Sequence, residues 1–254
     1  MSEALAFAAP SSTPSLGTSS LGSPRFSAAP RLAAAPQMRP STPKEPAPSL
    51  PTLLREVGGQ RVLAVDGQRF SSRSEHTVVV VERGAMEVVR PAVDGGDVVV
   101  GLVEQGQVYG LDQLFGPLDA DVAVRALGEA ELLLVNPHDL KAHLMASSRV
   151  PLVLEALSSQ VQMYRSFAAT ALVDVEVRLA RLMLAYIDAV GDSQGASVQL
   201  PFKRTQPELA AAIGAGERSI NRVLRKWKQD RVLEKVFGRY VIYDVDAIRS
   251  AAVL

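Results

Sequence analysis

The sequence predicts an α+β protein built from an antiparallel β domain, a long helix and a C-terminal winged helix-turn-helix. Three observations predict this fold class. Short β-rich runs separated by turn signals fill residues 51–145, a helical apolar repeat follows in residues 146–173, and a capped helix pair with one basic face lies within residues 174–254. The apolar period therefore changes from strand-like to helix-like after the last β run.

Residues 1–50 are dominated by Ala, Ser and Pro and hold two acidic residues. Such a segment cannot bury enough apolar surface to offset chain entropy, so we expect a disordered tail. The same bias is also typical of an organelle transit peptide, which stays open as an alternative. No run of 18 apolar residues and no basic start followed by an apolar stretch occurs. We therefore expect no membrane span, no secretion and a cytoplasmic protein.

The β domain is predicted from six short runs rich in Val, Leu and Ala. Turn signals such as Asp66-Gly67, Arg83-Gly84 and Gly128 separate them. Many short strands at near-regular spacing indicate an antiparallel barrel or jelly roll. The predicted strands are residues 61–65, 77–81, 85–89, 97–103, 121–127 and 131–135.

The long helix carries apolar residues that alternate in steps of three and four. They are Leu154, Leu157, Val161, Tyr164, Ala168, Ala171 and Val175. A heptad seam this narrow is typical of a helix that packs on a partner helix, which predicts a homodimer. Packing on the β domain of the same chain is the alternative, and the two can be combined. A second amphipathic helix is predicted from residue 174 to 190, followed by a break at 191–195 and a short strand at 198–200.

The helix pair is predicted from its caps and its periodicity. Thr205 and Glu208 have the spacing of a capping box, and Gly214-Ala215-Gly216 supplies a tight turn. In the second helix, residues 217–229, one apolar stripe opposes a basic face. The apolar stripe comprises Ile220, Val223, Leu224 and Trp227, and the other face shows Arg218, Asn221, Arg222, Arg225 and Lys228. A compact helix pair with a basic outer face is how a protein enters the DNA major groove.

A hairpin follows the second helix. Residues 232–237 and 240–243 flank Gly238-Arg239, which predicts a wing with Arg239 at its tip, available to a phosphate.

The charge of the chain is neutral in total but unevenly placed. Residues 51–145 hold 8 basic and 14 acidic side chains, a net −6, whereas residues 201–254 hold 11 basic and 6 acidic ones, a net +5. A basic terminal module on an acidic body fits a nucleic-acid binder, although a solvated basic helix face would look the same on charge alone.

Cysteine is absent and only three histidines occur, His76, His138 and His143. The sequence shows no Cys-based or His-based nucleophile, no P-loop and no metal-ligand spacing. It therefore predicts no enzyme, no metal site and no cofactor. A haem ligand among the histidines is the alternative, but lone histidines are more often surface or core residues.

The order of β-roll, long helix and winged helix-turn-helix resembles the cyclic-AMP receptor protein / fumarate-nitrate regulator (CRP/FNR) superfamily of bacterial transcription factors. The resemblance covers residues 53–254. It is carried by residues 174–180, 205–210, Gly214 with Ile220, Arg222 and Leu224, residues 238–244, and in the β domain by residues 106–110 and 126–127. It implies a cyclic-nucleotide-binding-like β-roll, a homodimer that binds double-stranded DNA, and RNA polymerase or another regulator as a further partner.

The recognition helix departs from the family pattern. The family commonly opens this helix with Arg-Glu and places a second Arg four residues after that Glu, whereas this chain has Glu217, Arg218 and Arg222 at these three positions. Arg218 could read a guanine edge, and Glu217 could accept from cytosine or favour the helix N-terminus. Ser219 and Asn221 could donate to phosphates or only solvate the helix. The predicted DNA-binding residues are Thr205, Gln206, Glu217, Arg218, Ser219, Asn221, Arg222, Arg225 and Arg239.

The ligand pocket departs further. Cyclic-nucleotide binders of this family hold the phosphate with an Arg-Ser pair and the ribose with a Glu, where this chain has Ala120, Asp121 and Leu111. A pocket that loses its guanidinium and gains a carboxylate repels an anion, and the like-charge repulsion is about 4 kcal/mol at ~4 Å and an effective dielectric constant of about 20. We therefore expect no cyclic AMP binding through the family's mode. The predicted degenerate pocket consists of Gly110, Leu111, Ala120, Asp121, Met163 and Tyr164.

A rival interpretation from another class is a sensor or scaffold protein whose winged module binds protein rather than DNA. The acidic surface of the β domain would then be its working surface.

Overall fold

The computed structural model describes residues 49–71, 78–92, 95–116, 121–147, 149–194 and 196–253. Residues 1–48 of the predicted tail, His76 and Ala120 lie outside these residues. The predicted end of the tail at residue 50 is wrong, because Leu50 begins a helix and is buried. All of these described residues belong to one compact unit. None of the helices in the described ranges is both long enough and apolar enough to cross a bilayer.

The first half of this unit is an antiparallel sheet. Its strands pair in the order β1-β6-β3-β4, with β2 on β6 and β5 on β3. Helix α1 (Leu50–Val57) precedes the sheet, and a 3₁₀ helix (Leu111–Leu114) follows β5. The strands are β1 Gln60–Ala64, β2 Arg69–Ser71, β3 Val78–Pro91, β4 Asp97–Glu104, β5 Val108–Tyr109 and β6 Ala123–Val135.

Alternation along β3 distributes its side chains between two apolar clusters. Val78 and Val80 pack with α1, whereas Val79 and Val81 pack with Met86 on the other side. Successive strand residues point to opposite faces, so an unbroken valine run fits a strand that is buried on both sides.

The prediction of four separate strands in residues 77–89 and 121–135 is wrong. The structure has two long strands there, β3 and β6, and the glycines predicted as turns lie inside them. Gly84 has φ +80° and Gly128 has φ +73°, and the β3–β6 register shifts on either side of Arg83. Glycine therefore marks irregularities of the kind seen at β-bulges, which bend the long strands without ending them.

The helical segment consists of α2 (Pro137–Ser147), α3 (Val150–Thr170) and α4 (Val175–Val190). The predicted seam does not continue to Val175, because residues 171–173 leave the helix and Asp174 occupies the N-cap position of α4. The prediction of a seam across this break is wrong, while its stretch from Leu154 to Ala168 lies within α3. The other domain bounds stay a prediction.

The C-terminal part confirms the winged helix-turn-helix and with it the α+β fold class. It contains a second antiparallel sheet in the order β7-β8-β10-β9. Residues 191–195, predicted as a simple break, include strand β7, and the final helix was not predicted. The elements are β7 Asp192–Gln194, β8 Ser197–Gln199, α5 Gln206–Ala212, α6 Glu217–Gln229, β9 Leu233–Val236, β10 Arg239–Ile242 and α7 Val245–Ala251.

One apolar cluster joins the first sheet to this C-terminal part. It combines Val89 and Val99 from the sheet with Met183 of α4 and with Leu209 and Trp227 of the helix pair. The helix-turn-helix therefore packs directly on the β3–β4 side of the sheet.

Candidate nucleic-acid interface

Helix α5 begins with the predicted capping box. The Thr205 hydroxyl accepts from the Glu208 backbone N–H at 3.3 Å, and Glu208 Oε2 accepts from the Thr205 backbone N–H at 2.6 Å. Burial raises the pKa of Glu208, but the hydrogen bonds from Thr205 outweigh this effect and hold the pKa below its usual 4.5. Thr205 and Gln206 are exposed at this helix start, where backbone N–H groups favour an anion.

The turn between the two helices depends on Gly214, which has φ +60°. Its N–H donates to Ala211 O at 3.0 Å, and the next residue, Ala215, donates to Ala210 O at 2.8 Å. Arg178 of α4 donates to the carbonyl oxygens of Ile213 and Gly214 at 2.9 and 3.2 Å, which ties the turn to the preceding helix.

The inner face of α6 is buried as predicted. The apolar stripe of Ile220, Val223, Leu224 and Trp227 lies in the shared core. The Trp227 indole N–H donates to Glu176 Oε1 of α4 at 3.1 Å. Burial of this stripe fixes the rotation of the helix about its axis, so the opposite face must meet solvent.

The outer face of α6 carries three exposed arginines, Arg218, Arg222 and Arg225. None of them has a hydrogen bond or ion pair to the described residues. They lie at i, i+4 and i+7, so their guanidinium groups share one side of the helix. By contrast, Lys226 and Lys228 are paired with Glu176 and Glu234 at 2.9 and 2.7 Å.

The remaining predicted residues of α6 differ in orientation. Glu217 is exposed in the first turn, whereas Ser219 and Asn221 are half-buried. The Asn221 side-chain oxygen is buried and has no hydrogen-bond partner among the described residues. Asn221 therefore directs its oxygen inward, and its predicted outward position is wrong for that atom.

The wing is confirmed, but the predicted position of Arg239 at its tip is wrong. Arg239 pairs with Val236 across the hairpin, so the two-residue turn is Phe237-Gly238. Arg239 is exposed and lines a cleft with Glu129 and Glu131 of β6. Within the wing, burial raises the pKa of Tyr240 to about 12, and Lys235 lies over its ring at 5.4 Å.

Helix α3 and its C-cap residue Ala171 present the predicted dimerisation residues on two sides. Leu154 and Val161 are 58% and 50% exposed, and Ala168 and Ala171 are exposed as well. Leu157 and Tyr164 are half-buried against the first sheet and its flanking helices. One row of the seam therefore packs within the chain, and the other is open to solvent.

The predicted ligand pocket does not form around all of its residues. Leu111 is fully buried among apolar side chains, and Asp121 is exposed. Met163 lies over Gly101, where an added Cβ would be 2.6 Å from the Met163 methyl carbon. The Tyr164 hydroxyl accepts from Gln160 Nε2 at 3.1 Å. Gly110 is buried with φ +88° and leads into the 3₁₀ helix.

A cavity of about 910 Å³ lies nearby, between β4, the end of α3, α4 and the end of α5. Of the predicted pocket residues that the structure describes, Tyr164 alone lines it. Its walls are mainly apolar, with Val99, Phe167 and Leu182 among them, and Arg178 and Arg181 border it.

A buried charge network, missed by the sequence analysis, connects the first sheet to the helix-turn-helix. Glu87 of β3 is fully buried and accepts from Arg125 Nε of β6 at 2.7 Å, from Arg204 at 3.0 Å and from the Tyr186 hydroxyl of α4. Burial and the Glu87 carboxylate raise the pKa of Tyr186 well above its usual value. Arg204 also lies 3.5 Å from Asp66. The signal available in the sequence was a lone acidic residue inside an apolar strand.

Comparison with known proteins places this geometry in context. Residues 177–251 match the family model of the Crp-like helix-turn-helix domain. No curated protein matches the chain. Among solved structures, a CRP-family transcriptional regulator of Thermus thermophilus is 19% identical, with a TM-score of 0.64 over 75% of this chain and 96% of its own.

Two further structures give the same picture. A CRP/FNR-family transcriptional regulator of Thermus thermophilus is 18% identical, with a TM-score of 0.61 over 76% of this chain and 98% of its own. The c-di-GMP-responsive global regulator CLP of Xanthomonas campestris is 22% identical, with a TM-score of 0.60 over 74% of this chain and 96% of its own. At these identities the likeness establishes the shared fold.

Proposed function

We propose that this chain is a homodimeric, sequence-specific DNA-binding regulator of transcription of the CRP/FNR superfamily. The proposal is supported by the match of residues 177–251 to the Crp-like helix-turn-helix domain and by the fold shared with a CRP-family regulator. The observation that carries this proposal is the outer face of α6. Arg218, Arg222 and Arg225 are exposed together and unpaired by described residues, while the opposite face is held in the core. Exposed cations on a rigid helix are what a duplex groove attracts.

The proposed division of labour follows from where each side chain lies. Arg218 and Arg222, in the first half of α6, read base edges in the major groove, because guanidinium groups pair bidentately with guanine. Arg225, one turn further, binds a phosphate, as do Thr205 and Gln206 at the start of α5. Ser219, Asn221, Glu217 and Arg239 complete the proposed contact set, with Arg239 reaching the backbone from the wing.

The dimer follows from the exposed row of α3. Leu154, Val161 and Ala168 are seven residues apart and exposed, which is the spacing of one side of a coiled-coil seam. Pairing two copies along this row would bring two recognition helices to half-sites about 34 Å apart on one face of the duplex.

We also propose that cyclic AMP does not control the protein through the family's mode. Leu111 stands where a ribose-binding glutamate is expected and is packed in the core. Asp121 brings a negative charge to the phosphate position. Calorimetry that showed micromolar cyclic AMP binding, lost on substitution within residues 111–121, would contradict this. Control then comes from a partner such as RNA polymerase or another regulator, from modification or from a different effector, in a cytoplasmic, non-enzymatic protein.

The test is binding-site selection from random duplexes with the purified full-length protein, followed by affinity measurements on the selected site. We expect a near-palindromic motif and an affinity that falls steeply with salt. Arg222→Ala should relax specificity at one position of each half-site, whereas Arg249→Ala on α7, an exposed arginine away from the interface, should not. Unselective binding by the wild type would contradict the proposal, and salt-independent capture of a protein would favour the scaffold interpretation.

A further inference from the structure

The tip of the wing carries an aromatic side chain that the proposed function does not use. Phe237 is 95% exposed. Its φ is +49°, and Gly238 follows with φ +85°. Two successive positive φ values are those of a type I′ turn, for which Asn-Gly and Asp-Gly are the preferred pairs. A single exposed apolar residue is ordinary on a protein surface. Here, however, two features disfavour phenylalanine: its apolar ring is exposed to water, and its backbone adopts a positive φ that a bulky side chain rarely adopts.

The surroundings of Phe237 are cationic. The Lys203 side chain packs against the turn, since its Cδ lies 3.3 Å from the position of a Cβ on Gly238. Lys203 and Arg239 are both exposed and flank the tip, and neither has a side-chain hydrogen bond or ion pair to the described residues. Lys235, which precedes Val236 on β9, donates to the Arg204 carbonyl oxygen at 2.6 Å. The exposed side chains next to the ring are therefore cations, while Arg239 also lines a cleft with Glu129 and Glu131 of β6.

The wing tip also lies next to the start of the helix-turn-helix. Lys203 is two residues before Thr205, the N-cap of α5. The start of α5 is one of the places where the proposed function puts DNA phosphates. A ligand that reaches this helix start is therefore within reach of Lys203 and of the turn against which Lys203 packs.

We propose that Phe237 is an apolar DNA contact that enters the minor groove beside each half-site, while Lys203 and Arg239 hold the phosphates on its two sides. Apolar side chains inserted in this groove pack on sugars and partly unstack a base step. The protein would then favour operators whose flanks contain easily deformed steps such as TA. This inference rests on the proposed DNA-binding function and adds a flank-reading residue to it.

A duplex accounts for this arrangement better than a protein surface does. A docking patch for protein would present several exposed apolar side chains together. The neighbours of Phe237 in the turn are instead Gly238 and half-buried Val236, and its exposed neighbours are cations. An isolated ring between positive charges matches a groove edge with phosphates on either side.

The experiment compares the full-length wild type with Phe237→Asn and Phe237→Trp on one selected operator, by fluorescence anisotropy at several salt concentrations. Asparagine suits the turn, so Phe237→Asn removes the ring without disturbing the hairpin. Burial of about half of a phenyl ring predicts that Phe237→Asn weakens binding on the order of tenfold. Its salt slope should equal that of the wild type, because no phosphate contact is lost. The matched variant Lys203→Ala should instead lower the slope by about 1.

Two further measurements make the outcome specific. Operators with a TA step or a GC step in the flank should be distinguished by the wild type and not by Phe237→Asn. The tryptophan of Phe237→Trp should become protected from acrylamide quenching when DNA binds. Equal affinity of Phe237→Asn and the wild type, or a tryptophan as accessible in the complex as in the free protein, overturns this inference alone. A wild type without salt-dependent duplex binding overturns the proposed function and this inference together.

Discussion

The buried network around Glu87 gives the most demanding prediction of this structure. Glu87 is fully buried, and the side chains of its partners Arg125 and Arg204 are 12% and 4% exposed. Glu87→Ala would remove the carboxylate that neutralises the guanidinium groups of Arg125 and Arg204 in a buried region of low dielectric constant. Removing one member of a buried ion pair costs about 3–5 kcal/mol. Asp97 and Asp66, at 3.1 and 3.5 Å from the two arginines, retain part of the pairing. We therefore expect about 3 kcal/mol, the lower end of that range.

Two comparisons separate the network from an ordinary ion pair. Arg83→Met removes the pair between Arg83 and Glu131, whose side chains are 76% and 51% exposed, and should cost under about 1 kcal/mol. The double variant Glu87→Met/Arg204→Met replaces two opposite charges by apolar side chains. The double variant should lose about 1–3 kcal/mol less free energy of unfolding than the two single substitutions lose together, because neither charge is left buried without its partner.

Urea unfolding followed by two probes measures these free energies. Trp227 is the only tryptophan and reports the helix-turn-helix, whereas far-ultraviolet circular dichroism reports both sheets and all helices. We expect coincident transitions for the wild type, and for Glu87→Ala a tryptophan transition at lower urea than the circular dichroism transition. A Glu87→Ala protein as stable as Arg83→Met, with coincident transitions, would refute the idea that this network holds the helix-turn-helix on the sheet.

Five further outcomes follow from particular contacts. Thr205→Ala should cost about 1 kcal/mol in urea unfolding, since it removes the α5 cap. Because the pKa of Glu208 is held below 4.5 in the folded state, its contribution to stability is present above that pH and is lost as the pH falls through the folded pKa. Glu208→Gln should remove this acid dependence, and unchanged dependence would contradict it. Gly84→Ala should cost about 1–3 kcal/mol, because its φ is +80° and the new Cβ would lie 2.7 Å from a backbone oxygen; a neutral effect would exclude this strain. Val161→Glu should give a monomer in sedimentation experiments, because it places a charge on the exposed row of α3. An intact dimer would show that the dimer interface does not include this row. Phe237→Asn should raise stability by up to about 1 kcal/mol in the same unfolding assay, since asparagine tolerates a positive φ.

The sequence predicted best those features that depend on neighbours along the chain. The bounds of α6 agree at both ends, and the capping box at Thr205 and Glu208 forms as expected. Caps, helical periodicity and two-residue turns are decided within a few residues, so one sequence contains their determinants. The candidate DNA-facing arginines could be located for the same reason: the buried stripe of a helix determines its exposed stripe.

Features that depend on distant partners could not be predicted in this way. Whether Gly84 ends a strand or bends it is decided by the register of β3 on β6, where Arg83 pairs with Glu131 and Ala85 with Leu127, far away in sequence. The inward position of the Asn221 oxygen depends on the packing of α6 against its neighbours. The sequence marks Glu87 only as one residue of a strand. Its buried charge network could not be predicted, because its partners Arg125, Tyr186 and Arg204 come from three other segments.

The short segment before α5 explains how the sheet and the recognition helix are connected. Pro201 packs near Gly128 of β6, at 3.4 Å from the position of a Cβ there, and Phe202 meets the Tyr186 ring edge-to-face at 4.9 Å. The Lys203 backbone N–H donates to Asp66 at 3.2 Å, and Arg204 binds Glu87. Four consecutive residues are thus fixed by the sheet and α4, and the next residue caps α5. Because α5 and α6 share one core, the direction in which α6 presents its arginines is set by this segment. A change in the sheet at these contacts can therefore reach the proposed DNA-facing surface through rigid neighbours, without any alteration of the residues that are proposed to contact DNA.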